Sequence, residues 1–544
     1  VYKRQSKGDK IVEINNKVID NSLEYLTTFE VPEEWKDLEY KDNQKLTFNE
    51  SINLLKGDTL PVSSFIKNKE GIFEGTTTKE EKRNIAEEVP CWISENCIEC
   101  NQCAFSCPHG VIRPFLLDKK DSKVESIPSL LPKDKEFTIG INYEECTGCG
   151  VCTLACPGKL GKKALEMVPN KDKENNFEYL LKNNVNDKYQ SNLLTVKNVS
   201  FKEPKFEYSG ACAGCGETPY ITNLTRVFND NLMIANATGC SSIYSGSVPS
   251  MPYSIPWASS LFEDNTEYGY GILQGINIKR DKIKKYMKEY PRNKLFKKWI
   301  ENMDNYDICK EVKENIDYKK HPYLNDMKDY ILPKQLWVLG GDGFAYDIGY
   351  GGLDHVLSKK DNINILVLDT EVYSNTGGQS SKSSNIGSVA SFTSNGKDNY
   401  KKDLARIAMC YPHVYVASVN IGYNKEQYLK AIKEASLHNG PSLIIAYSPC
   451  IEHGIKTGMQ HSQSNGYLAT KCGYFLTFRY NPDTKKFSLD SKEPEFDKYE
   501  DYLMTENRFA SLVRKDKERA RLLLEEQKQW AIDRYNYYKK ISEE

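Results

Sequence analysis

Leu336-Trp337-Val338-Leu339-Gly340-Gly341-Asp342-Gly343 is an apolar run that stops at glycines set around one aspartate. A second run, Ile363-Asn364-Ile365-Leu366-Val367-Leu368, ends at Asp369-Thr370-Glu371-Val372-Tyr373-Ser374-Asn375-Thr376-Gly377-Gly378. Between them, Tyr346 to Lys359 is compatible with a helix. Two short buried strands flanking a helix make a βαβ crossover, so both strand ends point the same way. In open α/β sheets ligands bind outside the carboxyl ends of such strands. Glycines there let the backbone approach a diphosphate, and a helix N-terminus favours its charge. Asp342 offers a hard oxygen to Mg²⁺, which commonly needs only one or two carboxylates besides the phosphates. Thr370 follows it by 28 residues, the span of one crossover helix. A Rossmann-like nucleotide site is the competing reading. It lacks its G-x-G-x-x-G, because Tyr346 stands where the third glycine belongs.

Working outward, the chain has 544 residues, enough for two to four domains with real cores. Lys plus Arg (74) and Asp plus Glu (75) nearly cancel, so no global field points to nucleic acid or an anionic membrane. Hydrophobic content of 39% and a mean hydropathy of −0.61 fit a soluble protein, and no run approaches a membrane span. Residue 1 is Val and no signal or transit segment is visible, so the chain reads as beginning in mid-protein. Sixteen cysteines in a chain this long point to metal binding rather than a disulfide scaffold.

Their spacing is the most specific signal. Cys97, Cys100, Cys103 and Cys107-Pro108 follow C-x2-C-x2-C-x3-C-P, and Cys146, Cys149, Cys152 and Cys156-Pro157 repeat it. Each run is the bacterial ferredoxin signature for a 4Fe–4S cluster, whose fourth cysteine serves the other cluster. Cys97, Cys100, Cys103 and Cys156 are therefore assigned to one cluster, and Cys146, Cys149, Cys152 and Cys107 to the second. Zinc ribbons use two C-x2-C pairs, not a triplet plus Cys-Pro done twice. The 38 residues between Cys107 and Cys146, with Arg113-Pro114 and the charged mixture Asp118 to Lys123, read as a surface insertion.

Residues 1–50 carry no assignable chemistry, and 51–90 read as a linker or covering arm. Residues 91–195 form the two-cluster domain, with 170–195 a solvated connector. Residues 196–544 form the α/β domain. There Cys212-Ala213-Gly214-Cys215-Gly216-Glu217 precedes a helix-like stretch, Tyr220 to Phe228, and a strand, Leu232 to Ala235, that leads to Cys240. On spacing alone the lone C-x2-C reads as a redox dithiol, half a zinc site or half a cluster site. Cys450 follows another apolar run, Leu443 to Tyr447. Lys279 to Lys298 reads as a surface helix, Ser380 to Asn395 as a loop, and Glu500 to Glu544 as a helical tail that packs on a partner or neighbouring domain. Cys91, Cys309, Cys410 and Cys472 take structural roles, and His109 and His453 support neighbouring ligands.

The Gly-Asp-Gly turn resembles the metal motif of thiamine-diphosphate enzymes, in which Asp342, Thr370 and the Val372 carbonyl would hold Mg²⁺. Many such enzymes have Asn where this chain has Thr370. Two ferredoxin motifs, then C-x2-C-G-E, then this turn, resemble the C-terminal half of the pyruvate:ferredoxin (flavodoxin) oxidoreductase family, from about residue 45 onward. The strings Cys97 to Phe105 and Asp369 to Gln379 are close to those of the family. The resemblance implies an α/β fold: a doubly wound parallel sheet that binds thiamine diphosphate, preceded by a bacterial-type two-cluster ferredoxin domain. It implies a third 4Fe–4S cluster on Cys212, Cys215, Cys240 and Cys450. It also implies that Glu217, Cys240, Gly341, Asp342, Gly343, Phe344, Thr370, Glu371, Val372, Tyr373, Ser374 and Asn375 line the cofactor, with Asn375 acting in catalysis. The implied reaction is oxidative decarboxylation of pyruvate to acetyl-coenzyme A and CO₂, with electrons passing to ferredoxin or flavodoxin in a homodimer of full-length chains. The implied compartment is the cytoplasm or an anaerobic organelle such as a hydrogenosome. The carboxylate that activates the cofactor, the main pyruvate contacts and most of the coenzyme A domain would lie upstream of Val1, so this half alone should not turn over. Another 2-oxoacid substrate, or a non-catalytic polyferredoxin, are the rival functions.

Overall fold

The computed structural model describes residues 9–36, 46–68, 75–170, 176–189, 191, 193–246 and 251–544. The chain divides into two compact units, Val1–Ile66 and Lys67–Glu544. In the first unit, the alternating stretch at Ile11 to Ile14 lies inside a helix, Asp9–Asp20. A second helix, Phe48–Asn53, starts at a reciprocal cap. Thr47 Oγ1 accepts from the Glu50 amide at 3.2 Å, and Glu50 Oε2 accepts from the Thr47 amide at 2.7 Å.

In the second unit, and among the described residues, thirteen strands form sheets of two, three and eight strands. β1 (Glu88–Trp92) pairs antiparallel with β5 (Leu165–Pro169). The stretch read as a covering arm thus ends inside the ferredoxin-like domain as a strand. Arg83 pairs with Glu145 at 3.5 Å and Lys79 with Glu207 at 2.9 Å, which hold the last part of that arm in place. Between the two cysteine runs lie β2 (Ile112–Leu117), β3 (Ile127–Pro128) and β4 (Glu136–Ile141), paired antiparallel in the order β2-β4-β3. The expected surface insertion is therefore largely a sheet whose first strand is buried throughout. Arg113 sits inside it, paired with the buried Glu207. The expected solvated connector contains a helix, Phe177–Asn183, that buries Phe177 and Leu180 against Phe115 and Leu117.

The large sheet runs β13-β12-β10-β11-β9-β8-β6-β7. Its strands are β6 (Leu232–Ala237), β7 (Trp257–Ser260), β8 (Gln335–Gly340), β9 (Asn364–Asp369), β10 (Tyr415–Val419), β11 (Ser442–Tyr447), β12 (Phe478–Asn481) and β13 (Lys486–Leu489). The six strands β7-β6-β8-β9-β11-β10 are parallel, and β12 and β13 close one edge antiparallel. The parallel strands are apolar on both faces because both are covered. Val338, Ile365, Val367, Leu443 and Ile445 enter one core, while Trp337, Leu339, Leu366, Leu368, Ile444 and Ala446 enter the other.

The crossover from β8 to β9 holds two helices, Asp342–Ala345 and Tyr350–Leu357, not one. The break falls at Gly349, where a Cβ would meet the Phe262 carbonyl oxygen at 2.2 Å and that of Phe344 at 2.5 Å. The lysine-rich region between β7 and β8 is more than a surface helix. Helices Asn265–Lys288, Lys294–Glu301 and Tyr306–Asn315 share a core around Trp299, Phe296 and Cys309, and Arg280 is buried and donates to the Tyr330 carbonyl at 3.0 Å. The tail, expected to pack on a partner or a neighbouring domain, packs on its own sheet. Tyr538, from helix Lys517–Glu543, stacks on Phe478 and Phe487 at centroid distances of 4.4 and 5.5 Å.

Candidate functional site

β6, β8, β9 and β11 are consecutive neighbours, all parallel, so their carboxyl ends form one edge. Each is followed within three residues by a polar group: Cys240 after β6, Asp342 after β8, Thr370 after β9 and Cys450 after β11. A cavity opens there. It is lined by Glu217, Cys240, Gly341, Asp342, Gly343, Phe344, Thr370, Val372, Tyr373, Ser374 and Asn375, together with Thr238, Gly239, Ser241, Phe262 and Thr376. The last five were not singled out in the sequence.

Asp342 is buried. Its Oδ2 accepts from Ser381 Oγ at 2.7 Å and Ser383 Oγ at 2.5 Å, while its Oδ1 has no partner. Burial, reinforced by the nearby Asp369 carboxylate, pushes the Asp342 pKa well above the ordinary carboxylate range, against the two serines. A cation at the bare oxygen is the group such a carboxylate lacks. Thr370 Oγ1 donates to the Val372 carbonyl at 3.0 Å. That separation is close to the roughly 3 Å between adjacent oxygens of an octahedron with ligand distances of about 2.1 Å. The residues present therefore fit Mg²⁺.

His453 buttresses this turn. Its Nδ1 accepts from the Cys450 amide at 3.4 Å, which leaves Nε2–H to donate to the Thr370 carbonyl at 2.6 Å. Burial holds its pKa down at about 4, so the ring stays neutral.

Glu371, expected to line the cofactor, turns the other way. Its backbone is left-handed (φ 59°). Its carboxylate accepts from Lys401 at 2.7 Å and Tyr474 at 2.5 Å, and forms an ion pair with Arg508 Nη1 at 2.8 Å. Burial alone would raise its pKa, but Lys401 and Arg508 outweigh that and hold it at about 2. Glu217 is buried with Oε2 unpartnered, and burial pushes its carboxyl up to about 7. Asn375 is exposed on the cavity wall.

The cysteines fall into three groups. Cys97, Cys100, Cys103 and Cys156 line one cavity. Cys107, Cys146, Cys149 and Cys152 face one another closely enough that each of the last three thiols is destabilised in its charged form by neighbours in the set, after burial itself. At the sheet edge, burial first and the Glu217 carboxylate next raise the Cys240 thiol, with Cys450, Cys215 and Cys212 close enough to add to it. The two triplet loops repeat their geometry. Left-handed residues stand two after the first cysteine (Glu99, Gly148) and one after the second (Asn101, Gly150). Burial pushes the Cys146 and Cys450 thiols up to about 12, so neither forms a thiolate readily without a positive charge beside it. Among the described residues no three His, Cys, Asp or Glu side chains converge on the volume of a single ion, which a tetrahedral zinc site would require. Among the described residues no cysteine is in a disulfide. Cys309 and Cys472 are buried, Cys410 is exposed and Cys91 is half-buried. His109 is buried, its Nδ1 3.2 Å from the Ser209 carbonyl.

Residues 96–160 match the family model of a 4Fe-4S dicluster domain, and residues 329–446 that of the C-terminal TPP binding domain of thiamine pyrophosphate enzymes. Residues 48–86 match a domain of unknown function. The chain is 42% identical to the pyruvate:ferredoxin oxidoreductase of Moorella thermoacetica, over 99% of this chain and 50% of that protein. It is 40% identical to the pyruvate-flavodoxin oxidoreductase of Enterobacter agglomerans, over 99% of this chain and 49% of that one. The chain is homologous to the C-terminal half of these oxidoreductases. It is also 36% identical to the mitochondrial pyruvate dehydrogenase (NADP+) of Euglena gracilis, over all of this chain and 32% of that protein. The chain thus spans about half the length, or less, of the curated relatives it matches. A solved 2-oxoglutarate:ferredoxin oxidoreductase from Magnetococcus marinus is 18% identical, with a TM-score of 0.30, over 49% of this chain and 68% of that one. Among the described residues no helix is long and apolar enough to cross a membrane.

Proposed function

We propose that this chain carries the thiamine and electron-transfer half of an enzyme that converts pyruvate and coenzyme A to acetyl-coenzyme A and CO₂. Two electrons leave singly through three 4Fe–4S clusters to ferredoxin or flavodoxin. The observation that most supports this is the shared edge of β6, β8, β9 and β11, which brings Cys240, Asp342, Thr370 and Cys450 to one end of the sheet. Pyruvate is favoured because the three relatives described above share it in their names.

Thiamine diphosphate, when bound, supplies the electron sink for decarboxylation. The chain's own residues hold and orient it. Asp342 Oδ1, Thr370 Oγ1 and the Val372 carbonyl would take Mg²⁺, and Gly341 and Gly343 leave the backbone open to the diphosphate. Asn375, on the cavity wall, would donate its amide to the substrate. Cys212, Cys215, Cys240 and Cys450 would hold a cluster beside the same cavity. A Cβ at Gly214 would meet Met459 and one at Gly150 would lie 3.3 Å from the next residue, Gln460, so the Cys212–Cys215 loop lies beside the Cys146–Cys152 loop. Electrons from that loop would reach the set of Cys107, Cys146, Cys149 and Cys152 first, and the set of Cys97, Cys100, Cys103 and Cys156 last. The remaining substrate contacts, and a homodimer of complete enzymes, belong to the part of the protein beyond this chain.

Anaerobic iron and acid-labile sulfide analysis, with electron paramagnetic resonance after reduction, tests this. About twelve irons per chain in three interacting clusters are expected. About eight would remove the third cluster and with it the electron path from the cofactor.

A further inference from the structure

The two cysteine runs repeat each other, yet their surroundings differ at one position. Five residues before Cys97 stands Trp92, the last residue of β1. Five residues before Cys146 stands Ile141, the last residue of β4. Trp92 lines the cavity framed by Cys97, Cys100, Cys103 and Cys156. Its ring is fixed by register with Leu165 across β5 and by edge-on packing against Phe137, at 6.3 Å and 65°. The indole Nε1–H is buried and meets no acceptor in the protein. Buried donors are nearly always paired, so one left facing a sulfur-lined cavity needs an acceptor inside it.

We propose that the Trp92 indole N–H donates a hydrogen bond to a sulfur of the cluster held by Cys97, Cys100, Cys103 and Cys156, and raises that cluster's reduction potential above that of its repeat mate. This rests on the cluster assignment proposed above. Hydrogen bonds to cluster sulfurs stabilise the more negative, reduced state and are one of the protein's levers on potential. Ile141, buried and apolar at the matching position, can give the other cluster no such bond. The outermost cluster thereby becomes the more favourable resting place for an electron about to leave.

The test is a redox titration of the reconstituted chain followed by electron paramagnetic resonance, parent against Trp92→Phe, which keeps the ring and removes the donor. One of the two ferredoxin-type clusters is expected to shift to more negative potential while the other stays fixed, with iron content unchanged. Unshifted midpoints in both would overturn the proposal. Should Trp92→Phe lose iron, the parent decides. With ¹⁵N-indole tryptophan incorporated, pulsed resonance on the reduced chain should show a nitrogen coupled to one cluster, and absence of that coupling overturns the bond. A parent holding fewer than about eight irons overturns the cluster assignment itself, and this inference with it.

Discussion

Arg508 and Glu371 form a buried ion pair, Nη1 to Oε2 at 2.8 Å, that fastens the C-terminal helices to the turn between Thr370 and Val372. Glu371 is the residue between the two oxygen donors assigned to the cation, and Lys401 holds its other carboxylate oxygen. Removing one partner of a buried pair leaves the other charge uncompensated, at a cost of about 3–5 kcal/mol. Arg508→Met is therefore expected to lower the denaturation midpoint sharply and to weaken Mn²⁺ binding measured by electron paramagnetic resonance. The double variant Arg508→Met with Glu371→Gln should recover only part of the stability, because the buried Glu506 still loses its Arg508 partner and Lys401 keeps only Asp369. If the single variant unfolds at the same denaturant concentration as the parent, the pair contributes nothing.

Asp342 is tuned for a ligand at the expense of the empty fold. Its bare Oδ1 and raised pKa mean that the charged form is poorly accommodated without a cation. Asp342→Asn should abolish magnesium-dependent binding of thiamine diphosphate, followed by quenching of intrinsic fluorescence. The same variant should unfold at no lower a temperature than the parent when magnesium is withheld. Retained binding would remove Asp342 from the cation site.

The crossing of the fourth cysteines makes a discriminating test. Cys156→Ala should erase the same spectroscopic cluster signal as Cys97→Ala, and Cys107→Ala the same one as Cys146→Ala. Each loss should lower iron by about four per chain. If Cys156→Ala instead matches Cys146→Ala, each run closes its own cluster.

Tyr538 anchors the tail by stacking on Phe478 and Phe487 and donating to Asp403 at 2.8 Å. Tyr538→Ala should cost about 3–5 kcal/mol in denaturant unfolding, as large aromatic truncations in cores do. A change within about 0.5 kcal/mol would mean that the tail adds little to the sheet it covers.

Much of this was legible in the sequence because it is local. The strands around residues 336–339, 363–368 and 443–447 read as apolar runs because parallel strands are covered on both faces. The ferredoxin motifs are fixed spacings that wrap a loop. What stayed hidden depends on distant partners. Nothing in the serine-rich stretch at 380–395 marks Ser381 and Ser383 as the residues that hold Asp342. Nothing near Glu371 shows that its side chain leaves the cavity for Arg508, 137 residues on. The buried β2 was masked by Arg113-Pro114 and the charges after it, since Arg113 is neutralised by Glu207 from beyond the connector. The helix break at Gly349 was masked by the apolar residues on either side, and only the close approach of Phe262 and Phe344 imposes it.

The order of strands in the large sheet also sets an order in time. Its last parallel strand in sequence, β11, lies between β9 and β10 in space, so Cys450 cannot take its place until nearly all of the sheet has been synthesised and paired. The eight cysteines of the two ferredoxin runs are complete by residue 156. During synthesis the clusters proposed on those runs could therefore be loaded while the chain is still emerging, whereas the one proposed on Cys212, Cys215, Cys240 and Cys450 waits for residue 450. A ribosome-arrested chain ending before residue 442 should accept the first two and never the third.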